Sequence, residues 1–274
     1  MNELLVREKL IEFLNEDIGT GDITTEGIYR GEKTEAVIKA KEDGVLAGSP
    51  FVVELFNILG DVKVNFKKRE GEEFKKGEVL ATLEGNARSI LMGERTALNL
   101  LQRLSGIATT AKKFVKKLEK KGIRILDTRK TTPGFRLFEK YAVRIGGGTN
   151  HRFALYDMVL IKDNHKKVAG GLKEAVNRVR EKISPFYKIE VEVESIEELK
   201  EALDLKVDII MLDNFSPEDV RKAIELINGH ALIEVSGNIT LENVELYAVE
   251  GVDFISSGSI IHSSRWVDIS LKIL

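Results

Sequence analysis

The chain of 274 residues carries a formal net charge of −2, with 43% hydrophobic and 31% charged residues. This composition is typical of a globular protein large enough for two domains, or for one barrel with an addition. The lack of Cys excludes disulfides and thiolate metal sites. No apolar run approaches the roughly 18 residues that a membrane helix needs. A pI of about 6.2 argues against a nucleic-acid binder.

The N-terminal part predicts a mixed helix and strand domain. Residues 1–15 alternate charged and apolar side chains like an amphipathic helix, and they lack the apolar core of a signal peptide, so we expect a cytoplasmic protein. Short alternating runs between Thr34 and Leu83 predict hairpins of half-buried strands. A helix is predicted for residues 51–59, and another for residues 86–121 with a break at Gly106.

The pattern changes at Gly122 to short apolar strands that alternate with helices. The predicted strands are residues 123–126, 158–161, 189–193, 209–212, 232–235 and 254–255. The predicted helices are residues 195–203, 217–227 after a Ser216 cap, and 241–249 after a Thr240 cap. Strands that recur with helices between them, roughly every 20 to 35 residues, indicate a parallel α/β barrel.

A polar residue follows each predicted strand at its C-terminal end. These residues are Asp127, Lys162, Glu192 or Glu194, Asp213, Ser236, and Ser256 or Ser257. Any one of them is most simply explained as a solvated loop residue. Because barrels build their sites at this face, the six together favour a functional site.

The segment from Arg129 to Lys167 is strongly basic. It contains nine Lys or Arg against three acids, although the whole chain is slightly acidic. Such a local excess is typical of a site for a small, highly charged anion. Gly146 to Gly148 lies just before Asn150-His151-Arg152, so we expect a loop that folds over the substrate, an ordinary flexible connection being the alternative.

The last two strands are followed by Ser236-Gly237-Asn238 and Ser257-Gly258-Ser259. Glycine lets the backbone approach an oxyanion closely, and amides at a helix start point towards it. A single Ser-Gly pair is a common turn, but two pairs at these positions of a barrel favour a phosphate site.

Two carboxylates are candidates for magnesium binding. Glu192 and Asp213 lie at adjacent strand ends, and Mg²⁺ prefers few protein carboxylates together with phosphate oxygens and water. In the run from Glu190 to Glu194 three acids share one face of a strand. The alternative is an outward-facing acidic surface.

At this point the motifs resemble one known family. The chain is similar to quinolinate phosphoribosyltransferases over nearly its whole length. The motifs that carry the resemblance are residues 16–25, 94–99, 104–109, 127–134, 139–143, 146–152, 160–165, 190–194, 212–214 and 234–237. Two positions depart from the family pattern: Asn238 stands where the family usually has Gly, and the run from Ser257 to Ile261 is more polar at its start.

The resemblance implies the architecture and the assembly. It implies an N-terminal α/β sandwich domain, residues 1–106, followed by an incomplete α/β barrel, residues 107–274, whose C-terminal tail packs back on the first domain. It also implies a homodimer in which Arg95 reaches the site of the partner subunit. Higher oligomers stay open, and the simpler interpretation of Arg95 is a pair with a helix neighbour.

The resemblance also implies an activity. Family members transfer the phosphoribosyl group of phosphoribosyl pyrophosphate to quinolinate with decarboxylation, which gives nicotinate mononucleotide, pyrophosphate and CO₂ for NAD synthesis. Such an enzyme is a pentosyltransferase that uses Mg²⁺, bound mainly with phosphoribosyl pyrophosphate.

Residue roles follow by matching positions. Arg129, His151, Arg152 and Lys162 are expected to receive the carboxylates of quinolinate and the phosphates of the donor, with Lys130 beside the pyrophosphate. Glu192 and Asp213 are expected to face the ribose hydroxyls and the magnesium, which makes Lys130, Lys162, Glu192 and Asp213 the candidate catalytic residues. The remaining substrate-binding candidates are Thr128, Ser236, Gly237, Ser257 and Gly258.

Several alternatives remain at the level of sequence. Lys162 at a strand end also suits a Schiff-base enzyme. The strand-rich segment 34–83 resembles lipoyl or biotinyl carriers, but its turn at Asp43-Gly44 lacks the lysine that carriers present. A paralogue that acts on a different pyridine is the main rival. His151 as a core hydrogen-bonding residue is a further option, and His230 and His262 are interpreted as structural.

Overall fold

The computed structural model describes residues 2–274, which form two compact units. The first unit comprises the chain up to residue 110 together with residues 264–274, and the second comprises residues 111–263. The sequence predicts a boundary after residue 106, whereas the compact units change four residues later and the C-terminal tail joins the first unit. None of the helices in the described part of the chain is long and apolar enough to cross a membrane.

Helices and strands cover most of the described residues. The helices are α1 (Glu3–Ile18), α2 (Ile23–Ile28), α3 (Ser49–Leu59), α4 (Ala87–Leu118), α5 (Arg136–Ile145), α6 (Asp163–Ala169), α7 (Leu172–Arg180), α8 (Ile196–Asp204), α9 (Pro217–Ile227) and α10 (Ser259–His262). The strands are β1 (Lys33–Ala40), β2 (Gly44–Val45), β3 (Val62–Phe66), β4 (Glu73–Phe74), β5 (Val79–Asn86), β6 (Arg124–Leu126), β7 (Val159–Ile161), β8 (Ile189–Val193), β9 (Ile209–Asp213), β10 (Leu232–Ser236), β11 (Phe254–Ser256) and β12 (Ile269–Ile273).

The first unit is built on a four-stranded antiparallel sheet with the order β12-β1-β5-β3. Ala36, Ile38 and Ala40 alternate along β1 and are buried, as expected for strands with one face on a core. The half-buried strands are therefore confirmed. The predicted hairpin arrangement is confirmed for β3 and β5, which pair antiparallel. β1 instead pairs with β5 and with the C-terminal β12, and α3 lies between β2 and β3 in the chain.

The predicted break at Gly106 does not occur, and α4 continues through it to Leu118. A Cβ atom at Gly106 would lie 2.0 Å from the carbonyl oxygen of Arg265 and 3.3 Å from the Cα of Trp266. Gly106 therefore serves the close approach of the C-terminal segment to the helix, and it does not end the helix.

The second unit contains a six-stranded parallel sheet with the order β6-β11-β10-β9-β8-β7. Consecutive strands along the chain are neighbours from β7 to β11, while β6 and β7 lie at the two edges of the sheet. Together with the intervening helices this is an incomplete α/β barrel, so the predicted fold class is confirmed. The centres of the strands are apolar and buried, for example Val191, Ile210 and Val235.

The register brings polar residues together at one end of this sheet. Ser236 of β10 pairs with Asp213 of β9, and Glu192 of β8 pairs with Met211 of β9. The two neighbouring helices α8 and α9 begin after serine caps whose hydroxyls accept backbone N–H groups. Ser216 is the predicted cap, whereas Ser195, predicted as the first residue of its helix, is the cap of α8.

Two local predictions are wrong. Residues 241–249 form only a single 3-10 turn, Val244–Leu246, and not the predicted helix. The Asn243 side chain accepts a hydrogen bond from the Thr240 N–H (2.8 Å) and donates one to the Asn238 carbonyl (3.0 Å). These bonds compete with the start of a helix.

The run from Gly146 to Gly148 closes the end of α5, and its N–H groups bond back to carbonyls of that helix. A Cβ atom at Gly148 would lie 2.8 Å from Val143, so this run is packed and is not a loop over a substrate.

We expect Gly106→Ala to lower the thermal unfolding temperature by about 2–6 °C, because the added methyl group overlaps backbone that cannot give way. Gly27→Ala is the matched control, since Gly27 is also helical and has nothing within 4 Å of its Cβ position. Alanine is the better helix former, so the control should be neutral or slightly stabilising. Scanning calorimetry measures both variants. Equal unfolding temperatures for Gly106→Ala and Gly27→Ala would contradict the expected overlap with the Arg265 backbone.

Candidate active site

A cavity of about 760 Å³ opens at the C-terminal ends of the strands of the second unit. It is lined by Thr128, Arg129, Lys130, His151, Arg152, Leu160, Lys162, Asp163, Glu192, Met211, Asp213, Asn214, Glu234, Ser236, Gly237, Asn238, Ile239, Thr240, Ser256, Ser257, Gly258, Ser259, His262 and Ser263. A second cavity of about 780 Å³ lies at the opposite ends of β8, β9 and β10 and is lined by turn residues such as Asp208, Asn228 and Gly229. Since parallel barrels place their chemistry at the C-terminal face, the first cavity is the candidate active site.

A buried carboxylate at the end of β6 organises one wall of the cavity. Asp127 is fully buried and accepts hydrogen bonds from Lys140 Nζ (2.5 Å), Asn150 Nδ2 (2.6 Å) and the backbone N–H of His151 (2.9 Å). Burial raises the pKa of Asp127 and lowers the pKa of Lys140, although each charge favours the other. The strand-end residue Asp127 therefore does not line the cavity but fixes the segment that carries His151 and Arg152.

Three cations of the cavity lack an ion-pair partner among the described residues. Arg129, Lys130 and Arg152 form no ion pair with any side chain in the described range 2–274. The Arg152 guanidinium donates to the Met158 carbonyl (3.2 Å), and burial, followed by the charge of Arg129, lowers its pKa. Neighbouring cations that lack a counter-charge form a pocket that favours an anionic ligand.

Lys162, Glu192 and Asp213 form a second group in the cavity. Lys162 Nζ makes a hydrogen-bonded ion pair with the largely buried Glu192 carboxylate. Burial, and then the charge of Glu192, raises the pKa of Asp213. The charges of Glu192 and Asp213 therefore repel each other, and a cation bound between the two carboxylates would relieve that repulsion. Their oxygen atoms are ligands that suit Mg²⁺, so the two predicted residues fit such an ion.

The two Ser-Gly loops border the cavity from β10 and β11. A Cβ atom at Gly237 would lie 2.4 Å from Asn214 Oδ1, and a Cβ atom at Gly258 would lie 2.7 Å from the Lys130 side chain. Gly237 is therefore required for close packing, because its Cβ would also lie 2.7 Å from the Asn214 backbone nitrogen, whereas a side chain at position 258 would displace the flexible Lys130 side chain. Asn238 adopts a left-handed conformation with φ of 51°, which asparagine tolerates, and this explains the departure from glycine at that position.

His151 faces two buried carboxylates beneath the cavity. Its Nε2 atom lies 2.9 Å from Glu190 Oε2 and 3.3 Å from Glu234 Oε2, and the two glutamates lie on β8 and β10. Burial lowers the pKa of His151, but the hydrogen bonds and charges of the two glutamates outweigh it, so the net shift is upward. The backbone N–H of Arg152 donates to Nδ1 (2.7 Å), which opposes a proton on that nitrogen. In either charge state an Nε2–H group faces the carboxylates.

This cluster, His151 with Glu190 and Glu234, is also a conceivable metal site, because its ligand atoms lie within 4.8 Å of one another. A metal bound to Nε2 would require the proton of a neutral ring on Nδ1, with an acceptor for that proton. Nδ1 instead receives the Arg152 N–H. The geometry therefore fits a hydrogen-bond donor at Nε2 better than a metal ligand.

Every residue that the family resemblance assigns to the site lines this one cavity except Arg95, whereas the strand-end candidate Asp127 is buried and does not line it. Arg95 is exposed on the part of α4 that belongs to the first unit. Glu194 is exposed beyond the end of β8 and does not line the cavity. The individual roles of the lining residues stay predictions.

Sequence reasoning missed several lining residues. Glu234 lies two residues before Ser236 and so points to the same side of β10 by the period of two, a signal that was available. His262, interpreted as structural, lines the cavity one helical turn after Gly258. Asn214 was quoted only within a family motif, and its left-handed backbone could not be foreseen.

Comparisons with known proteins agree with this geometry. The model of the quinolinate phosphoribosyl transferase N-terminal domain matches residues 22–105, and the model of the C-terminal domain of the same family matches residues 107–272. The probable nicotinate-nucleotide pyrophosphorylases [carboxylating] of Bacillus subtilis and Methanocaldococcus jannaschii are 45% and 47% identical to this chain. These alignments cover 100% and 99% of this chain and 95% and 97% of the relatives.

Solved structures give the same result. The structure of the nicotinate-nucleotide pyrophosphorylase from Francisella tularensis superposes with a TM-score of 0.95 at 41% identity and covers 100% of this chain and 98% of that one. Matches of this extent, over both domains and at this level of identity, leave one conclusion: the chain belongs to the quinolinate phosphoribosyltransferase family.

Proposed function

We propose that the protein transfers the phosphoribosyl group of phosphoribosyl pyrophosphate to quinolinate and removes one carboxylate, which yields nicotinate mononucleotide, pyrophosphate and CO₂ in NAD synthesis. Membership of the family supports this activity. The observation that carries it in the structure is the group of unpaired cations, Arg129, Lys130 and Arg152, which share one cavity with the carboxylates of Glu192 and Asp213. A dianionic acceptor and a polyanionic donor need this combination.

We assign the acceptor to the side of the cavity that carries Arg129, His151, Arg152 and Lys162. Guanidinium groups suit planar carboxylates, because their donors engage two oxygens at once. The repulsion between acceptor and donor is about 4 kcal/mol per charge pair at 4 Å for an effective dielectric of about 20, and fixed cations between them offset it. Lys162 is already held by Glu192, so its ammonium group is fixed before substrate binds.

We assign the donor to the opposite side. Lys130 lies against Gly258 and would face the pyrophosphate, on which a lysine acts as a point charge. The Ser236-Gly237 and Ser257-Gly258 loops would receive the 5-phosphate through backbone N–H groups and hydroxyls, with Thr128 as a further hydroxyl donor at the cavity wall.

Glu192 and Asp213 would hold Mg²⁺ together with the donor phosphates and the ribose hydroxyls. The ion, when bound, would neutralise charge on the departing pyrophosphate. The same carboxylates would stabilise the positive charge that develops on the ribose as its bond to pyrophosphate breaks. The ring nitrogen of the acceptor then forms the new bond to that carbon.

Decarboxylation follows from the charge on the ring. Once the nitrogen is quaternised, the bond from the adjacent ring carbon to its carboxylate breaks, and the electron pair stays on carbon beside the positive nitrogen. A proton then replaces the lost CO₂. The step needs little from the protein beyond holding the ring, which Arg129 and Arg152 would do through the remaining carboxylate.

We further propose a homodimer in which the exposed Arg95 of one subunit completes the site of the other, with higher oligomers left open. Cytoplasmic localisation stays a prediction from the sequence. The rival activity is transfer to a different pyridine, which the same donor side would equally serve.

Incubation with quinolinate, phosphoribosyl pyrophosphate and Mg²⁺ should release CO₂ and nicotinate mononucleotide in equal amounts. Liquid chromatography and trapping of labelled CO₂ measure the two products. The acceptor control is nicotinate, which lacks one carboxylate and should react far more slowly. Turnover of nicotinate but not of quinolinate would establish the rival activity instead.

Arg129→Ala and Lys162→Ala should each lower kcat/KM by about 10²–10³-fold, because each substitution removes a cationic side chain that would donate hydrogen bonds to the bound anions. Because both side chains border an open cavity, the unfolding temperature should move by less than about 2 °C. Lys167→Ala is the control in the same basic segment, because the exposed Lys167 side chain does not line the cavity and pairs with Asp163 one turn earlier in α6. A loss of stability as large as the loss of activity would assign a structural role to the two residues.

Mixing Arg95→Ala subunits with Lys162→Ala subunits tests the shared site. A heterodimer should regain roughly a quarter to a half of the wild-type rate, because one of its two sites combines an intact Arg95 with an intact Lys162. Differently tagged subunits allow the heterodimer to be purified before the assay. A verified heterodimer as inactive as its parents would refute the contribution of Arg95 across the interface.

A further inference from the structure

Two glutamates are buried beneath the candidate active site, and no Lys or Arg among residues 2–274 forms an ion pair with either of them. The side chains of Glu190 and Glu234 are 0% and 2% exposed, and the His151 side chain between them and the cavity is 8% exposed. His151 Nε2 lies 2.9 Å from Glu190 Oε2, yet neither oxygen of Glu190 meets the geometry of a hydrogen bond with any described residue. Oε1 of Glu234 likewise has none in the described part of the chain.

Buried carboxylates with free oxygens cost stability, so a structural role alone explains them poorly. The buried Asp127 carboxylate of the same unit, by contrast, is paired with the Lys140 ammonium group. Glu190 and Glu234 instead converge from two strands on a single ring nitrogen. Their shared contact is the His151 ring, and the ring is the group that separates them from the cavity.

The ring is held from three directions. Its backbone N–H is bound by Asp127, its Nδ1 accepts the Arg152 N–H, and its Nε2–H faces the two glutamates. The orientation of the ring is therefore coupled to the backbone of Arg152, whose guanidinium is unpaired in the cavity and lies within the electrostatic reach of Glu190. Moving the ring would move the start of the segment that carries Arg152.

We infer that Glu190 and Glu234 are positioning residues, which act through His151 to fix the acceptor side of the active site. This inference rests on the proposed function for the identity of the acceptor. The glutamates touch no substrate. They orient the imidazole, as the carboxylate partner of a catalytic or metal-bound histidine does in other enzymes. Because His151 and Arg152 belong to the acceptor side, the donor side should be unaffected.

Kinetics of Glu190→Gln and Glu234→Gln test the inference. Each variant should raise KM for quinolinate by about 10- to 100-fold, the usual effect of removing a carboxylate that orients a histidine. KM for phosphoribosyl pyrophosphate should change less than about twofold, and the unfolding temperature should stay constant or rise, because one of two repelling buried acids is lost. Glu245→Gln is the matched control, since Glu245 makes an exposed ion pair with Lys117 in the same unit.

A double-mutant cycle tests whether the effect passes through His151. If it does, Glu190→Gln should add no further rise in KM to a His151→Asn variant. Additive effects would overturn the inference, and so would equal rises in the two KM values or a fall in unfolding temperature that parallels the loss of activity.

Nuclear magnetic resonance supplies a readout that needs no turnover. The chain has four histidines, so the ring signals of ¹⁵N-histidine-labelled protein can be assigned to His151 with the His151→Asn variant. The Nε2-bound proton should be downfield and slow to exchange in the ligand-free protein, and it should move upfield in the Glu190→Gln/Glu234→Gln variant, because carboxylates accept stronger hydrogen bonds than amides. An unchanged proton would overturn the inference, whereas a shifted proton without quinolinate turnover would refute only the proposed acceptor.

Discussion

The site depends above all on the buried Asp127 carboxylate. It ends β6, pairs with Lys140 of α5 and holds Asn150 and the backbone of His151, so one side chain joins a strand, a helix and the segment that carries two site residues. Burial opposes both charges of the pair, and removing one partner would leave the other charged and buried, which typically costs about 3–5 kcal/mol. The arrangement is therefore fixed before any ligand binds.

The electrostatic design of the cavity follows from that frame. Arg129, Lys130 and Arg152 line one cavity and form no ion pair with a described residue, while Lys162 is paired with Glu192. The free protein thus carries repulsion between cations that an anionic ligand relieves, and the geometry that a ligand needs is already present. Such preorganisation lowers the reorganisation required at the moment of reaction. In the proposed function, the carboxylates of Glu192 and Asp213 would face the ribose, where positive charge develops, and would hold Mg²⁺ together with the donor phosphates.

Specificity for the acceptor has a physical basis in the same charges. A pyridine with two carboxylates can engage two guanidinium groups at once, whereas a pyridine with one carboxylate leaves a desolvated cation unpaired. If Glu190 and Glu234 set the orientation of the His151 ring, as we infer, activity toward the acceptor depends on residues that never contact it.

The sequence by itself determined the alternation of strands and helices after Gly122, the strand ends that carry Lys162, Glu192, Asp213 and Ser236, and the basic segment. These features depend on local periodicity and on the rule that parallel strands share one functional end. It could not determine the role of Gly106 or Gly148, because their reasons are the carbonyl of Arg265 and the side chain of Val143, which only the folded chain brings within reach.

Only the tertiary structure decided that β1 pairs with the distant β12 and that Glu190 and Glu234 both contact His151. It also decided that residues 241–249 do not form the predicted helix, because the Asn243 side chain binds the backbone there. Each of these is a contact between residues far apart in the chain, or a competition between a side chain and the backbone. Local patterns specify which face of a strand is polar. Strand order and register decide which two polar groups share that face and whether a cation lies close enough to pair with them. Packing of the whole unit sets both strand order and register.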